Sequence, residues 1–334
     1  MNSYIKAISY YLPEKILSNK DLCAEFPELN EEDIFKKSGV KQRHITAAGE
    51  IGSDLAFHAA EKFFQEHDIA REAIDYVLFC TEGLDYKAPA TACILQDRLQ
   101  LPKSCGSLDI PYGCTGFMYG ISVAKGLVES QQAKNVLLLT SDIPSTVIHP
   151  KDIELRIIFG DAGAATLISH TEDSMKIGKF VFGTDGSGYQ HLIVRQSGTR
   201  EFMTKEWLEQ HADADGMKLG KMEMNSSEIF LFAMKVVPPM IRELLVKENR
   251  LIEDIDLFVF HQANTQMLEV IRRKMKIPVE KFIIDMVNVG NTVSATIPIA
   301  LKNAMDDCLV KKGDKIMLCS FGIGLSWAGT IIEI

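Results

Sequence analysis

Three polar side chains in this 334-residue chain stand where they could do chemistry. Cys114 lies in Asp109-Ile110-Pro111-Tyr112-Gly113-Cys114-Thr115-Gly116-Phe117, His261 opens His261-Gln262-Ala263-Asn264, and Asn291 sits in Gly290-Asn291-Thr292. A thiol serves as both nucleophile and leaving group. An imidazole and a carboxamide can donate hydrogen bonds to an oxygen that becomes negative. Together they are the parts for acyl transfer through a thioester. Each also has a plainer reading on its own: a small core thiol, a histidine satisfied by backbone, an asparagine capping a helix. Their placement relative to an internal repeat is what joins them.

The elements that must position them come in two sets. Glu72–Cys80 echoes Glu253–His261, Asn135–Thr140 echoes Lys315–Ser320, and Ala164–Ile168 echoes Ala328–Ile332, in the same order along the chain. The first two pairs share an offset of about 180 residues and the third a smaller one, which places extra loop in the first half within residues 143–158. Each echoed run is short, apolar and bounded by polar residues, as for strands buried on both faces. Helical patterns lie between them: one from Ser53, read as the capping serine, to Phe64, and two nearly all-apolar starts, Cys114–Leu127 and Thr292–Met305. Strands alternating with helices give an α/β layered fold, with two halves stacked around a pair of central buried helices. His261 then projects from the carboxyl end of a buried strand, the edge where such sheets bind ligands. Cys114 falls at a helix start, where unpaired N–H groups favour a thiolate. The repeat sets Asn291–Ala295 at the equivalent turn of the second half. Residues 185–225, rich in Gly, Asp, Ser and Lys, read as a surface excursion.

Composition narrows the remaining classes. The net charge is −9, and no continuous basic face is visible, which excludes a general nucleic-acid binder. Arg272-Arg273-Lys274-Met275-Lys276 is a local basic run whose plain reading is a solvated helix face. No apolar stretch is long enough to span a membrane, and the N-terminus lacks the pattern of a secretory signal. The seven cysteines form no Cys-x-x-Cys pair, which fits reduced cytoplasmic thiols and provides no zinc site. Leu325-Ser326-Trp327 lacks the full glycine frame of a serine-hydrolase elbow, and no dinucleotide fingerprint or phosphate loop is present. A papain-like cysteine protease shares the residue types but not the α/β duplication.

Nearly end to end, the chain resembles the β-ketoacyl-acyl-carrier-protein synthase III family of the thiolase-like superfamily. The resemblance is carried by Gly39-Val40-Lys41-Gln42-Arg43-His44-Ile45, Phe159-Gly160-Asp161-Ala162-Gly163-Ala164, the His261 and Asn291 motifs, and Phe321-Gly322-Ile323-Gly324. It implies a duplicated αβαβα five-layer fold with pseudo-twofold-related halves, 1–170 carrying the nucleophile and 171–334 carrying His and Asn, and a homodimer formed through the sheet of the first half. It makes Cys114 the acyl-accepting nucleophile. His261 and Asn291 then bind the thioester oxygen of a malonyl-type extender and stabilise the enolate left by decarboxylation. The backbone N–H groups of Cys114 and of the Gly322-Ile323-Gly324 turn hold the first tetrahedral oxyanion. Lys37, Arg43, Ala88 and Asn264 fall on substrate-binding positions, Asn264 ordering the loop beside the pantetheine arm. Arg272, Arg273 and Lys274 fall where the family meets its acidic carrier protein. Coenzyme A or phosphopantetheine thioesters are implied as substrates, acyl carrier protein as partner, and no cofactor as permanently bound.

Departures from the family pattern carry expectations of their own. Asp33 stands where a tryptophan commonly stacks on the coenzyme A adenine. Lys37 takes one cationic position at the same mouth, and Ile153 replaces another. These changes weaken the nucleotide grip and point to a donor delivered by a carrier protein, or to coenzyme A held differently. Ala88 replaces a bulky residue that in many relatives reaches in from the partner subunit to close the acyl pocket, so donors larger than acetyl are expected unless Tyr86 or Leu84 fills the space. A non-decarboxylating acyltransferase or thioesterase on the same scaffold, and an inactive partner subunit, are the alternative readings.

Overall fold

The computed structural model describes residues 2–172, 174–195, 197–201, 204–206, 209 and 220–334. The first half runs β1 (Tyr4–Tyr11), β2 (Ile16–Ser18), α1 (Asn19–Glu25), α2 (Glu31–Ser38), β3 (Gln42–His44), α3 (Gly52–Glu66), β4 (Tyr76–Cys80), α4 (Thr91–Arg98), β5 (Gly106–Ile110), α5 (Gly116–Glu129), β6 (Asn135–Asp142), α6 (Ile153–Arg156) and β7 (Ala162–Ser169). The second runs β8 (Met175–Thr184), β9 (Leu192–Val194), β10 (Met222–Met224), α7 (Ser226–Glu248), β11 (Leu257–Phe260), α8 (Thr265–Lys274), β12 (Phe282–Ile283), α9 (Thr296–Asp306), β13 (Lys315–Gly322) and β14 (Ser326–Glu333). The division at 170/171 lies in the turn between β7 and β8.

Ten strands pair in the order β5-β4-β6-β7-β1-β8-β14-β13-β11-β12, which reads equivalently from either end. The three echoed sequence pairs are β4 with β11, β6 with β13 and β7 with β14, at matching places in the two halves. Parallel pairing of β4 with β5 and β6, and of β11 with β12 and β13, gives each half one carboxyl edge, and the two edges meet where Gly322 faces the Cys114 sulfur and the Ser294 N–H donates to Asp142. The halves join where β1 pairs antiparallel with β8 through Tyr4–Lys176 and Ile5–Met175. The extra loop falls between β6 and β7, residues 143–161, against only 323–325 between β13 and β14.

The near-continuous apolar starts of α5 and α9 are explained by where these helices lie. α5 packs on β4, β6 and β7 of its own half and on β13 and β14 of the other, while α9 packs on β1, β7 and β11. Phe117, Met118 and Ile121 share one buried cluster with Leu138, Ile297, Leu301, Leu318 and Ala328. Each of the larger side chains contributes about 1.5–3 kcal/mol by leaving water, so the contact between the halves is itself a hydrophobic core. α3 covers the outer face of the first half with Leu55, Ala56, Ala59 and Phe63, and α7 covers the second. The serine expected to cap α3 does not: the helix starts at Gly52, Asp54 accepts the Ile51 N–H at 3.1 Å, and the Ser53 hydroxyl donates to Asp85. Residues 185–225 are only partly a surface excursion, since Leu192 and Met222 are buried and β9 pairs with β10; 196, 202–203, 207–208 and 210–219 lie outside the described residues.

The seat of α3 on β7 is a backbone contact. A Cβ on Gly163 would come within 2.5 Å of the Leu55 carbonyl oxygen and 2.9 Å of the Ala56 nitrogen. Gly163→Ala is expected to lower unfolding free energy by about 1–3 kcal/mol in urea titration. Gly126→Ala, inside α5 with nothing within 4 Å of the new methyl, is expected to be neutral or stabilising by up to about 1 kcal/mol.

Candidate active site

Each of the three predicted groups is delivered by a strand or helix end at the common edge. Cys114 occupies the turn after β5, and α5 begins two residues later, at Gly116, rather than at the cysteine itself. Its carbonyl accepts a hydrogen bond from the Ser320 hydroxyl on β13, so the backbone that carries the thiol is held by the opposite half. His261 follows β11, its N–H donating to the Cys319 carbonyl at 2.8 Å. Asn291 is stitched to the 143–161 loop: its N–H donates to the Ile158 carbonyl at 2.8 Å and its carbonyl accepts from Gly160 at 3.1 Å. Asp161 anchors the same loop by accepting from Thr46 and Ser145. That anchoring gives the mid-chain signature a structural role.

Cys114, His261, Asn291 and Phe321 line one cavity of about 200 Å³, which Met224 and Phe230 also line. All three polar groups are buried, at 7%, 1% and 4% exposure. Burial sets their electrostatics. It pushes the His261 imidazole down to about 3, so the ring is neutral at physiological pH. Burial, and after it the Glu82 carboxylate, push the Cys114 thiol up to about 12. The sequence expectation of a thiolate favoured by the helix start is therefore corrected: α5 starts too late for its first N–H groups to dominate, and desolvation and a nearby acid outweigh them. The Ile323 and Cys114 N–H groups do act in the opposite direction, stabilising the sulfur anion. Gly322 is required at this point, because a Cβ there would sit 2.7 Å from the Cys114 sulfur.

The hydrogen bonds of the other two groups leave specific valences free. Asn291 Oδ1 accepts from the Val293 N–H at 2.9 Å, and Nδ2 donates to the Ala263 carbonyl at 3.3 Å. One N–H of that amide therefore remains for a ligand. His261 Nδ1 pairs with the Thr296 hydroxyl at 2.7 Å, while the same hydroxyl has the Val293 carbonyl within 3.0 Å. When the hydroxyl donates to Nδ1, Nε2 carries the ring proton and becomes a donor. When it donates to Val293, Nε2 is a bare acceptor.

The remaining predicted positions fall less uniformly. Arg43 does not reach the cavity: it is fully buried, donating to the Leu17 and Ile157 carbonyls and to Asn19, with its basicity lowered by that burial, so it is a structural tie and not a substrate contact. Asn264 lines the cavity but spends its side-chain oxygen capping α8, accepting from Gln266 and Met267. Lys37 is exposed and ion-paired with Glu154 at 3.4 Å. Ala88 lies exposed in the loop after β4, outside the cavity around Cys114. Arg272 is not free to dock: it holds Glu269 through two bonds and the Ile277 carbonyl. Arg273, at 74% side-chain exposure, reaches the same Glu269 at 3.3 Å, and the exposed Lys274 donates to the Met234 carbonyl at 3.1 Å. Sequence reasoning missed Thr296, Ser320 and the acidic pair Glu82 and Asp142. The last two were findable as polar residues at the carboxyl ends of β4 and β6.

A duplicated α/β scaffold with a buried thiol, a neutral imidazole and a carboxamide facing one cavity defines the class of acyl-thioester condensing enzymes. Comparison with known proteins agrees. Residues 108–186 match the family model for 3-oxoacyl-[acyl-carrier-protein (ACP)] synthase III and residues 245–334 match that for its C-terminal part. The β-ketoacyl-[acyl-carrier-protein] synthase III of Caldanaerobacter subterraneus subsp. tengcongensis is 34% identical over 97% of this chain and 95% of that one. A crystal structure of a 3-oxoacyl-(acyl-carrier-protein) synthase III superposes with a TM-score of 0.95 at 40% identity, each chain covered fully. The priming β-ketosynthase of the R1128 polyketide pathway superposes at 0.88 with 25% identity, covering 100% of this chain and 96% of that one. The chain belongs to the β-ketoacyl-[acyl-carrier-protein] synthase III family.

Thr296→Val removes the hydroxyl that bonds His261 Nδ1. Decarboxylation of a malonyl thioester is expected to fall on the order of tenfold to a hundredfold, while alkylation of Cys114 by iodoacetamide stays unchanged. An equal loss of both rates would show that Thr296 merely holds the loop.

Proposed function

We propose that this protein loads an acyl group from a thioester donor onto Cys114 and condenses it with a malonyl-type extender on a carrier protein. Carbon dioxide and a 3-oxoacyl thioester are the products. The observation that carries this reading is the neutral pair His261 and Asn291 beside a buried thiol, with His261 acting as a donor through Nε2 in the tautomer whose Nδ1 accepts from the Thr296 hydroxyl. Breaking the extender's C–C bond leaves an enolate whose oxygen needs hydrogen-bond donors but no base. An imidazole held near pKa 3 and a carboxamide with one free N–H meet that need. The same pair disfavours the non-decarboxylating transferase, for which the carboxamide would have no use. Fatty-acid initiation is the fitting role, and the polyketide priming synthase among the structural relatives supports a specialised acyl donor as the variant of it.

Donor delivery by a carrier protein is supported at the cavity mouth. Gln266 lines the cavity and donates to the Lys36 carbonyl at 3.2 Å, so α2 and α8 flank the entrance. The first turn of α2 presents Glu31, Glu32 and Asp33, and Lys37 is already engaged by Glu154. A polyphosphate would meet repulsion there. An acidic carrier instead finds Arg273 and Lys274 on α8. The homodimer implied by the family would form along β5, the edge strand of the first half, which leaves Leu108 exposed.

Intact-protein mass spectrometry with acetyl, medium-chain and aromatic acyl groups, each on coenzyme A and on carrier protein, tests the reading. Carrier-bound donors are expected to give an adduct on the wild-type protein that Cys114→Ala lacks, and to load faster than the same groups on coenzyme A. Equal rates for the two carriers would remove the delivery claim, and no adduct with any donor would remove the enzymatic one. Ala88→Phe is expected to restrict loading to the shortest chains; an unchanged donor profile would show that the pocket is closed elsewhere.

A further inference from the structure

Two acids raised far above the usual carboxylate range lie near the Cys114 turn and have no part in the chemistry above. Glu82 follows β4 and Asp142 ends β6, so the parallel register of those strands sets them side by side, with the Glu82 N–H donating to Asp142 Oδ1 at 2.9 Å. Asp142 also accepts from the Ser294 N–H at 3.2 Å, from the Ser294 hydroxyl and from Thr81. Its lone pairs are occupied. The Glu82 carboxyl receives no hydrogen bond from any described residue. It packs on Gly113, the residue before the nucleophile: a Cβ there would lie 2.4 Å from the Glu82 carboxyl carbon. The Glu82 side chain is exposed to the cavity of about 510 Å³ that Leu84, Tyr86 and Lys87 also line; the protein packed against its inner side, and then the Asp142 carboxylate, raise it to about 8.

Cys114 must lose a proton to accept an acyl group, and the groups already assigned cannot take it. His261 is a very weak base at about 3, Asn291 is not a base, and Asp142 is saturated. Glu82 is the largest charged contributor to the raised thiol, so the two ionisations are coupled. We propose that Glu82 is the proton carrier for Cys114, taking the thiol proton during loading and supplying one when Cys114 departs. This rests on the acyl-loading role given to Cys114 above.

The steps balance. In loading, the Cys114 S–H proton passes to the Glu82 carboxylate, the Cys114 S–C bond forms, the donor C–S bond breaks, and the leaving thiolate takes that proton. In condensation, the extender carbanion bonds the acyl carbon and the Cys114 C–S bond breaks. The resulting thiolate is neutralised through Glu82 by one proton drawn from solvent. A carrier with its transition near working pH serves both directions. The titratable and charged groups facing Glu82 are Asp142 from β6, Cys80 from β4, Asp85 and Lys87 from its own loop, and Cys114 from the turn before α5.

The test compares the full-length wild-type protein with Glu82→Gln in two assays across pH: single-turnover loading of Cys114 by octanoyl-carrier protein, and alkylation by iodoacetamide. Wild-type loading is expected to rise through an inflection near 8. Glu82→Gln should load about a hundredfold more slowly and lose the inflection. Its alkylation at pH 9–10 should be at least as fast as wild type, because a carboxylate that opposes the thiolate has gone. Loading within about threefold of wild type with the inflection intact overturns the proposal. So does a parallel loss of alkylation, which would mean that Glu82 only holds the turn in place. If the wild type takes up no acyl group at all, the loading role itself falls, and identical alkylation profiles in the two proteins would then overturn the coupling separately.

Discussion

Desolvation at the junction of the two halves is the constraint on which the site depends. Once α5 and α9 are pressed between two sets of buried strands, the turn that carries Cys114 and the strand end that carries His261 have no water to share. The same removal of water acts oppositely on the two: it disfavours the thiolate and it disfavours the imidazolium. A neutral thiol and a neutral imidazole are the outcome. For a reaction in which charge appears first on an oxygen and only briefly on sulfur, that is a fitting resting state. The hydrogen-bond donors are present in advance, and no ion pair has to be broken before a substrate binds.

The glycines around the thiol express the same crowding. Gly322 admits the sulfur, Gly113 admits the Glu82 carboxyl, and Gly116 admits the Cys80 sulfur, where a methyl would lie at 2.2 Å. None of the three needs a left-handed backbone, since none has positive φ. Their lack of a side chain is what matters. Space at this edge is allotted atom by atom, so the turn that carries the sulfur has no room for an added side chain at any of the three.

Much of this was legible in the amino-acid sequence because the duplication leaves a periodic trace. The echoed apolar runs are strands at matching places, and the two apolar helix starts are central helices. His261 could be picked out because it ends an echoed run, and Cys114 and Asn291 because they stand at the starts of the two apolar helical segments. Arg43 could not be read correctly from its motif, since whether an arginine beside a strand faces a ligand or three carbonyl-type acceptors depends on the loops folded over it. Arg272 fails similarly: its pairing with Glu269 three residues earlier is a local helical bond that a basic run conceals. The capping of α3 moved from Ser53 to Asp54 because both suit the position and the tertiary partner Asp85 claimed the serine. Thr296 and Ser320 are ordinary residues in sequence, and only the junction gives them partners.

The order of strands, alike from both ends, shows where one ancestral unit was copied, yet the copies now hold different goods. At the carboxyl end of β4 stands an acid, and at the matching end of β11 an imidazole. After β6 comes a long loop whose Ile158 and Phe159 line the cavity, and after β13 a tight three-residue turn that holds the sulfur. Neither copy keeps a whole site, so the fold has given up redundancy for specialisation. The contact between the halves is therefore as much a part of the site as the side chains that line it.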